Sequence, residues 1–176
     1  MLKKLSIDSE GGFVVIGERE YSQTSGDGKT SSTTYCFDDI LVAKIDSMGK
    51  LVWIKKLPKI QRGGRRGVGS SFKWIYTGNH HYLLYLDNVK NLNLPIDKVP
   101  EPHIDGAGGF LTSYKINDAT GAVVKASILD TRNVDGTFVT QFRIDRMFSI
   151  DDNEFLIEMY KKKNEDVMIR VKMLNQ

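Results

Sequence analysis

Short apolar runs separated by turn-forming residues make up most of the chain, which is the pattern of β-strands joined by tight turns. The clearest unit is the hairpin Asp39–Leu57, whose two apolar strands flank the turn Asp46–Gly49. A second hairpin precedes it, with strands at Leu2–Ile7 and Phe13–Ile16 around a turn rich in Asp, Ser and Gly. Residues 18–37 are rich in Ser, Thr and Gly, and this composition predicts a long polar loop between the two hairpins.

The same order of strands and turns recurs twice further along the chain. The second copy has predicted strands at 71–76, 81–86, 110–116 and 122–129, and the third has 138–150, 154–160 and 167–174 without a fourth strand. Phe13, Tyr82 and Phe155 occupy the same place in the second strand of the three copies. The third strands end on equivalent lysines, at Lys44, Lys115 and Lys172. Such fixed-offset repetition indicates a repeat architecture.

The middle strands of each copy are apolar on both faces, so the copies must stack face to face to bury them. This requirement predicts an all-β, β-propeller-like fold of three consecutive four-stranded antiparallel blades, the last lacking its outer strand. The blades lie at about 1–57, 70–129 and 138–174 of a single propeller-type domain or fragment that spans residues 1–176. The alternative is an antiparallel sandwich of about eleven strands.

Three blades would make only a partial ring, because a closed propeller normally has about four blades or more. The sequence leaves two explanations open. The chain is either the C-terminal portion of a longer propeller, whose missing N-terminal portion supplies the last strand, or one of two copies that associate into a six-bladed ring. In both cases the first and last blades would expose apolar faces, so we expect self-association of the isolated chain.

Composition narrows the class of protein but does not name a ligand. The 176 residues are 40% hydrophobic and 27% charged, which excludes disordered and collagen-like chains. A formal charge of +3 from 25 basic and 22 acidic residues is too balanced to predict nucleic acid as a partner. Cys36 is the only cysteine, so no intrachain disulfide is expected. No membrane span and no signal peptide are predicted, which leaves the compartment open.

One part of the sequence resembles a known repeat. The stretch GGFVVIGE … DDILVAKIDSMGKLVWIKKL resembles the blades of a bacterial β-propeller repeat family, which run from a Gly-Gly-aromatic strand to a strand ending in Trp. The second copy keeps Gly109 and Lys115 but has Lys125 near the place of Trp53. The resemblance implies a scaffold without a defined chemistry, in a family of mostly exported or cell-surface proteins.

No catalytic constellation is visible in the sequence. Gly26–Thr30 lacks the first glycine of a phosphate-binding loop and is followed by coil, not a helix. His80 and His81 would point to opposite faces of a strand, so neither a metal site nor a cofactor is expected. These observations favour a non-enzymatic binding or scaffold module that recognises a protein, glycan or anionic ligand. The alternative is part of a hydrolase or lyase whose active site is completed by blades outside this chain.

The candidate ligand-binding surface is the face that would carry the long loops, at about 18–38, 59–70, 87–108 and 130–137. Its most suggestive segment is Lys59–Gly67, in which glycines allow close approach and arginines supply bidentate donors. The candidate ligand-binding residues are Arg62, Arg65, Arg66, Tyr21, Tyr35, Glu101, His103 and Asp105. A solvated basic loop without a ligand is the alternative interpretation of the arginines.

Overall fold

The structure, a computed structural model, describes residues 1–64, 70–104, 109–134, 136, 139–151, 154–161 and 165–172. The regular structure of this part of the chain consists of strands and a single turn of 3-10 helix, Val89–Asn91. The strands are β1 (Leu2–Ile7), β2 (Phe13–Gly26), β3 (Ser31–Ile45), β4 (Leu51–Leu57), β5 (Gln61–Gly63), β6 (Lys73–Thr77), β7 (His80–Asp87), β8 (His103–Ile104), β9 (Phe110–Asn117), β10 (Val123–Asp130), β11 (Val139–Ser149), β12 (Glu154–Lys161) and β13 (Glu165–Lys172). The predicted all-β class is therefore confirmed.

The strands form three sheets that follow one another along the chain. In the first sheet β1, β2, β3 and β4 pair antiparallel in sequence order, and β5 pairs with the other half of β3. The second sheet has the order β10-β9-β7-β6, and the third has β11-β12-β13. Strand β8 lies in the connection between β7 and β9 and pairs with β5 in parallel. This pairing joins the chain segment of the second sheet to the first sheet. No sheet is closed within the described residues.

The prediction of a polar loop at 18–37 is wrong. Strand β2 continues to Gly26 and β3 begins at Ser31, so a ladder of backbone pairs runs along both strands to a tight turn. The Asp27 side chain accepts hydrogen bonds from the backbone N–H groups of Lys29 and Thr30 in that turn. Ser and Thr are compatible with strands when they pair across the ladder, as the hydroxyls of Thr24 and Thr33 do at 3.0 Å. The Ser, Thr and Gly content of these residues therefore predicted a loop where the chain forms a hairpin.

Two apolar cores hold the sheets together, one on each face of the second sheet. The core between the first and second sheets contains Val14, Ile16, Ile40, Val42, Trp53, Leu57, Phe72, Leu83, Tyr85, Tyr114 and Ile116. The other, toward the third sheet, contains Leu84, Leu86, Leu111, Val134, Val139, Met147, Phe155, Ile157 and Met159. Adjacent residues of β7 alternate between the two cores, because successive strand residues point to opposite faces. The second sheet is thus buried on both sides.

The repeat alignment needs one correction. Phe13, Tyr82 and Phe155 all lie in the second strand of their sheets, as predicted. However, the two strands pair in different registers. In the first sheet Lys44 lies opposite Val14, and Phe13 lies opposite the next residue, Ile45. In the second sheet Lys115, the equivalent of Lys44, lies opposite Tyr82 itself. A shift of one residue reverses the face of a strand residue. Tyr82 therefore points toward the following sheet, with Leu84, whereas Phe155 points back toward the preceding one.

Candidate functional site

Two of the residues predicted to bind a ligand, Tyr21 and Arg62, meet in the part of the first sheet where β5 pairs with β3. Arg62 lies in β5 opposite Cys36 of β3, and its Nη1 atom donates to the Asp38 carboxylate and to the Gln61 carbonyl. Its Nη2 atom lies 3.5 Å from the Tyr21 hydroxyl. Tyr21 itself lies on β2, also opposite Cys36. Three strands therefore position one guanidinium, one carboxylate and one phenol side by side.

Tyr21 is contacted by two cations. The guanidinium carbon of Arg19 lies 5.3 Å from the centre of the Tyr21 ring, and that of Arg62 lies 5.9 Å from it. Cations at this distance are attracted by the ring quadrupole. Arg19 is exposed, and Arg62 and Tyr21 are half-buried, so all three are accessible to a ligand. We call the group Arg19, Tyr21, Asp38 and Arg62 the Tyr21 surface.

The charges on the Tyr21 surface are fixed by their neighbours. A hydrogen bond to the Asp38 carboxylate, together with burial, raises the pKa of the Tyr21 hydroxyl, which stays neutral at physiological pH. Burial alone would lower the pKa of Arg62, but the hydrogen bond and charge of Asp38 outweigh it and raise that pKa. The Tyr21 surface therefore carries two positive charges and one negative charge.

A buried polar network supports the Tyr21 surface from below. The Lys59 ammonium bonds to the Phe37 carbonyl at 2.9 Å and the Gln61 Oε1 atom at 2.8 Å, and forms an ion pair with Glu18. Burial lowers the pKa of Lys59, and the Glu18 carboxylate opposes this shift. Because Gln61 immediately precedes Arg62 in β5, the network fixes the backbone from which Arg62 extends.

The other predicted residues are placed differently. Tyr35 is half-buried on β3, opposite Gly63. Glu101 is exposed, and its backbone carbonyl and amide bond to the side chain of Asn91. His103 is only 2% exposed and therefore does not contribute to a surface. Arg65, Arg66 and Asp105 lie outside the described residues.

The His103 side chain is packed in the interior of the protein. Its ring lies against Gly109, where a Cβ atom would come within 3.2 Å of Nδ1, and its Nε2 atom has no hydrogen-bond partner among the described residues. Burial lowers the pKa of His103 to about 4, against the opposing charge of Asp87. The ring is therefore neutral at physiological pH, and its protonation would place a charge in the interior.

Sequence reasoning missed Arg19 and Asp38. Arg19 and Tyr21 are two residues apart on β2 and therefore share one face, but this relationship is visible only if residues 18–26 are recognised as a strand. The alternation of Arg19, Tyr21 and Gln23 was the available signal. No pattern in the sequence indicates that Glu18 and Lys59 meet, because they belong to separate elements.

A second polar cluster lies between the first and second sheets, around Asp118. His81 interacts with Asp118 through Nε2 at 2.8 Å, and its Nδ1 accepts a hydrogen bond from Trp74 at 3.2 Å. Lys44 and Trp53 of the first sheet also bond to Asp118. Burial lowers the pKa of His81 despite Asp118. Since both ring nitrogens are occupied, His81 is not available as a general base, and the cluster joins the two sheets.

No family model matches this chain, and no curated protein or solved structure matches it either. The described residues form no helix that has the length and hydrophobicity needed to cross a membrane.

Proposed function

We propose that this protein is a non-enzymatic binding or scaffold module of the β-propeller type, related to the bacterial repeat family that its first sheet resembles. The stacking of three consecutive antiparallel sheets supports this proposal, because the middle sheet packs on both faces as a propeller blade does. Within the described residues the second sheet has the predicted four strands and the third has three, whereas β5 and β8 add to the four predicted strands of the first sheet. In this proposal the chain forms part of a larger ring.

The ligand that fits the Tyr21 surface is an anion. Two guanidiniums contact one tyrosine ring, and a single carboxylate neutralises only one of them. No carboxylate in the described part of the chain forms an ion pair with Arg19. A sulfated or carboxylated glycan, or an acidic protein segment, would place its anionic groups on the guanidiniums and its apolar edge on the Tyr21 ring. The two guanidiniums on the Tyr21 ring are the observation that carries this proposal.

The test is a binding titration with heparin, a sulfated glycan, at two salt concentrations. The double variant Arg19→Ala/Arg62→Ala should bind at least about tenfold more weakly than wild type, or about 1.4 kcal/mol. Wild-type affinity should also fall as salt rises, because exposed charges are screened. A second variant, Arg65→Ala/Arg66→Ala, measures whether the neighbouring arginines contribute.

The chain offers a matched control. Arg132 also combines a carboxylate partner, Asp130, with an aromatic ring, Phe110, at 5.3 Å. The variant Arg132→Ala should leave heparin affinity unchanged within about twofold, or about 0.4 kcal/mol. Equal affinity of wild type and the Arg19/Arg62 variant would reject the Tyr21 surface as the binding site.

A further inference from the structure

A cleft of about 700 Å³ lies between the second and third sheets, away from the Tyr21 surface. Its floor is formed by β7, β9 and β10 of the second sheet, and one wall by Val171 and Lys172 of β13. A cleft of this volume is within the usual range for small-molecule sites. It is separate from the Tyr21 surface, because the residues that line it belong to the second and third sheets.

The cleft exists because one face of the second sheet changes character along its length. At one end of this face Leu86 lies opposite Leu111, and both pack against the third sheet. In the next row Leu84 lies opposite Ser113, and Ser113 lies opposite Ala126 of β10, so β9 and β10 present only small side chains there. Small side chains cannot fill the distance between two stacked sheets, which is about 10 Å. The space above them is therefore open.

Polar groups alternate along β9 on the floor of the cleft. Ser113, Lys115 and Asn117 are two residues apart, so they point to the same face and span about 13 Å of strand. The Ser113 hydroxyl is buried, and its Oγ atom has no hydrogen-bond partner among the described residues. Ser113 is 4% exposed. A buried hydroxyl without a partner is costly, and a ligand group in the cleft would supply one.

The cleft also contains a cation, Lys115, that has no counter-charge among the described residues. The Lys115 ammonium lies 5.8 Å from the centre of the Tyr82 ring, and no carboxylate in the described ranges forms an ion pair with it. Lys172, on the opposite wall, lies 3.4 Å from Glu154. One positive charge in the cleft is thus left for a ligand, and the Tyr82 ring lies beside it.

Apolar surface completes the cleft. Val124, on the edge strand β10, is 60% exposed, and it lines the cleft together with Ala126 and Val171. An aromatic or aliphatic body would cover this surface and release the water in contact with it.

We propose that this cleft binds a small carboxylate with an aromatic body. The carboxylate pairs with Lys115, one of its oxygens accepts the hydrogen bond of Ser113, and the aromatic body lies between Tyr82 and the aliphatic residues of β10. This site is independent of the proposed function, because its residues belong to other strands than those of the Tyr21 surface.

The probe is 2-naphthoate, with the uncharged 2-naphthamide as its matched partner. In a titration followed by amide NMR, 2-naphthoate should shift the resonances of 113–117 and 124–126 and saturate at millimolar concentration or below. The amide should bind at least about tenfold more weakly, because the ion pair is lost. Lys115→Met should weaken 2-naphthoate to a similar extent, whereas Lys50→Met, on an exposed turn of the first sheet, should not.

A cleft-filling variant provides a second readout. Ala126→Leu places a larger side chain on the floor of the cleft and should abolish 2-naphthoate binding while the spectrum remains that of a folded protein. The Arg19→Ala/Arg62→Ala variant should bind 2-naphthoate as wild type does, which separates this site from the Tyr21 surface. The proposal is overturned if 2-naphthoate causes no shifts up to millimolar concentration, if the amide binds equally well, or if Ala126→Leu has no effect.

Discussion

The ammonium of Lys59 lies 2.7 Å from a carboxylate oxygen of Glu18, and both side chains are completely buried. Each charge has further partners: Ser71 donates to Glu18 at 2.6 Å, and Lys59 bonds to Phe37 and Gln61. Desolvation offsets much of the attraction in such a pair, but removal of one member leaves the other charge buried and uncompensated. The pair is therefore a sensitive point of the fold.

Lys59→Met should lower the free energy of unfolding by about 3 kcal/mol, the lower end of the usual range for a broken buried pair. The lower end applies because Lys3 also lies 3.1 Å from Glu18 and keeps part of the compensation. Glu18→Gln/Lys59→Met should cost less than Lys59→Met alone, since no uncompensated charge remains. Urea denaturation of the variants measures both values. A loss below about 1 kcal/mol for Lys59→Met, which is within the range of exposed pairs, would contradict the buried pairing.

The protein should lose stability as the pH falls from 6.5 toward 4. The pKa of His103 is lowered to about 4, so the unfolded chain takes up a proton in this window that the folded chain does not. The loss from His103 is about 1 kcal/mol at pH 5.5 and about 2 to 3 kcal/mol at pH 4.5. Denaturation of wild type and His103→Gln at pH 7.5, 5.5 and 4.5 isolates this contribution from that of His81, whose pKa is lowered in the same direction. Parallel pH dependence in both proteins would show that His103 is not responsible.

Two glycines at equivalent turns should respond differently to alanine. Gly49 and Gly121 both have left-handed backbone conformations, with φ of +81° and +67°. A Cβ atom at Gly49 meets no atom of the described residues within 4 Å, whereas one at Gly121 would come within 2.7 Å of the Trp53 ring. Gly49→Ala should therefore cost about 1 kcal/mol, from backbone strain alone. Gly121→Ala should cost about 1 to 3 kcal/mol more, because Trp53 must move.

Thermal and urea unfolding of both alanine variants measure this difference, and tryptophan fluorescence reports the movement of Trp53. Similar losses in the two variants would mean that the first and second sheets are not packed closely at this turn.

The isolated chain should self-associate through the outer face of the first sheet. That face carries Leu5, Ile7, Leu41 and Ile54, which are 56%, 70%, 48% and 51% exposed. Light scattering should give a mass above the 19.9 kDa of one chain, and Leu41→Lys/Ile54→Glu should lower it. Met48→Glu, on an exposed turn, is the control and should leave the mass unchanged. A wild-type mass of 19.9 kDa without binding of a hydrophobic dye would contradict this prediction.

The sequence determined the class of the fold and the positions of most of its strands, although β5 and β8 lie in segments that were predicted to be loops. The turn Asp46–Gly49 and the apolar runs beside it are local signals, because turn chemistry and two-residue alternation act within a few residues. For the same reason the strands of the second unit were predicted to within a few residues of β6, β7, β9 and β10. The apolar character of both faces of β7 also indicated, correctly, that the second sheet is buried on both sides.

Only the tertiary structure decided which polar groups meet. Residues 18–37 form a long hairpin because the two halves pair with each other along their whole length, which their composition does not reveal. The Glu18–Lys59 pair, the two guanidiniums on Tyr21 and the cleft beside Lys115 all depend on strand register and on how sheets stack. A one-residue change of register reverses every side chain of a strand, as the orientations of Phe13 and Tyr82 demonstrate. Register is fixed by contacts between distant segments, so local patterns in the sequence do not determine it.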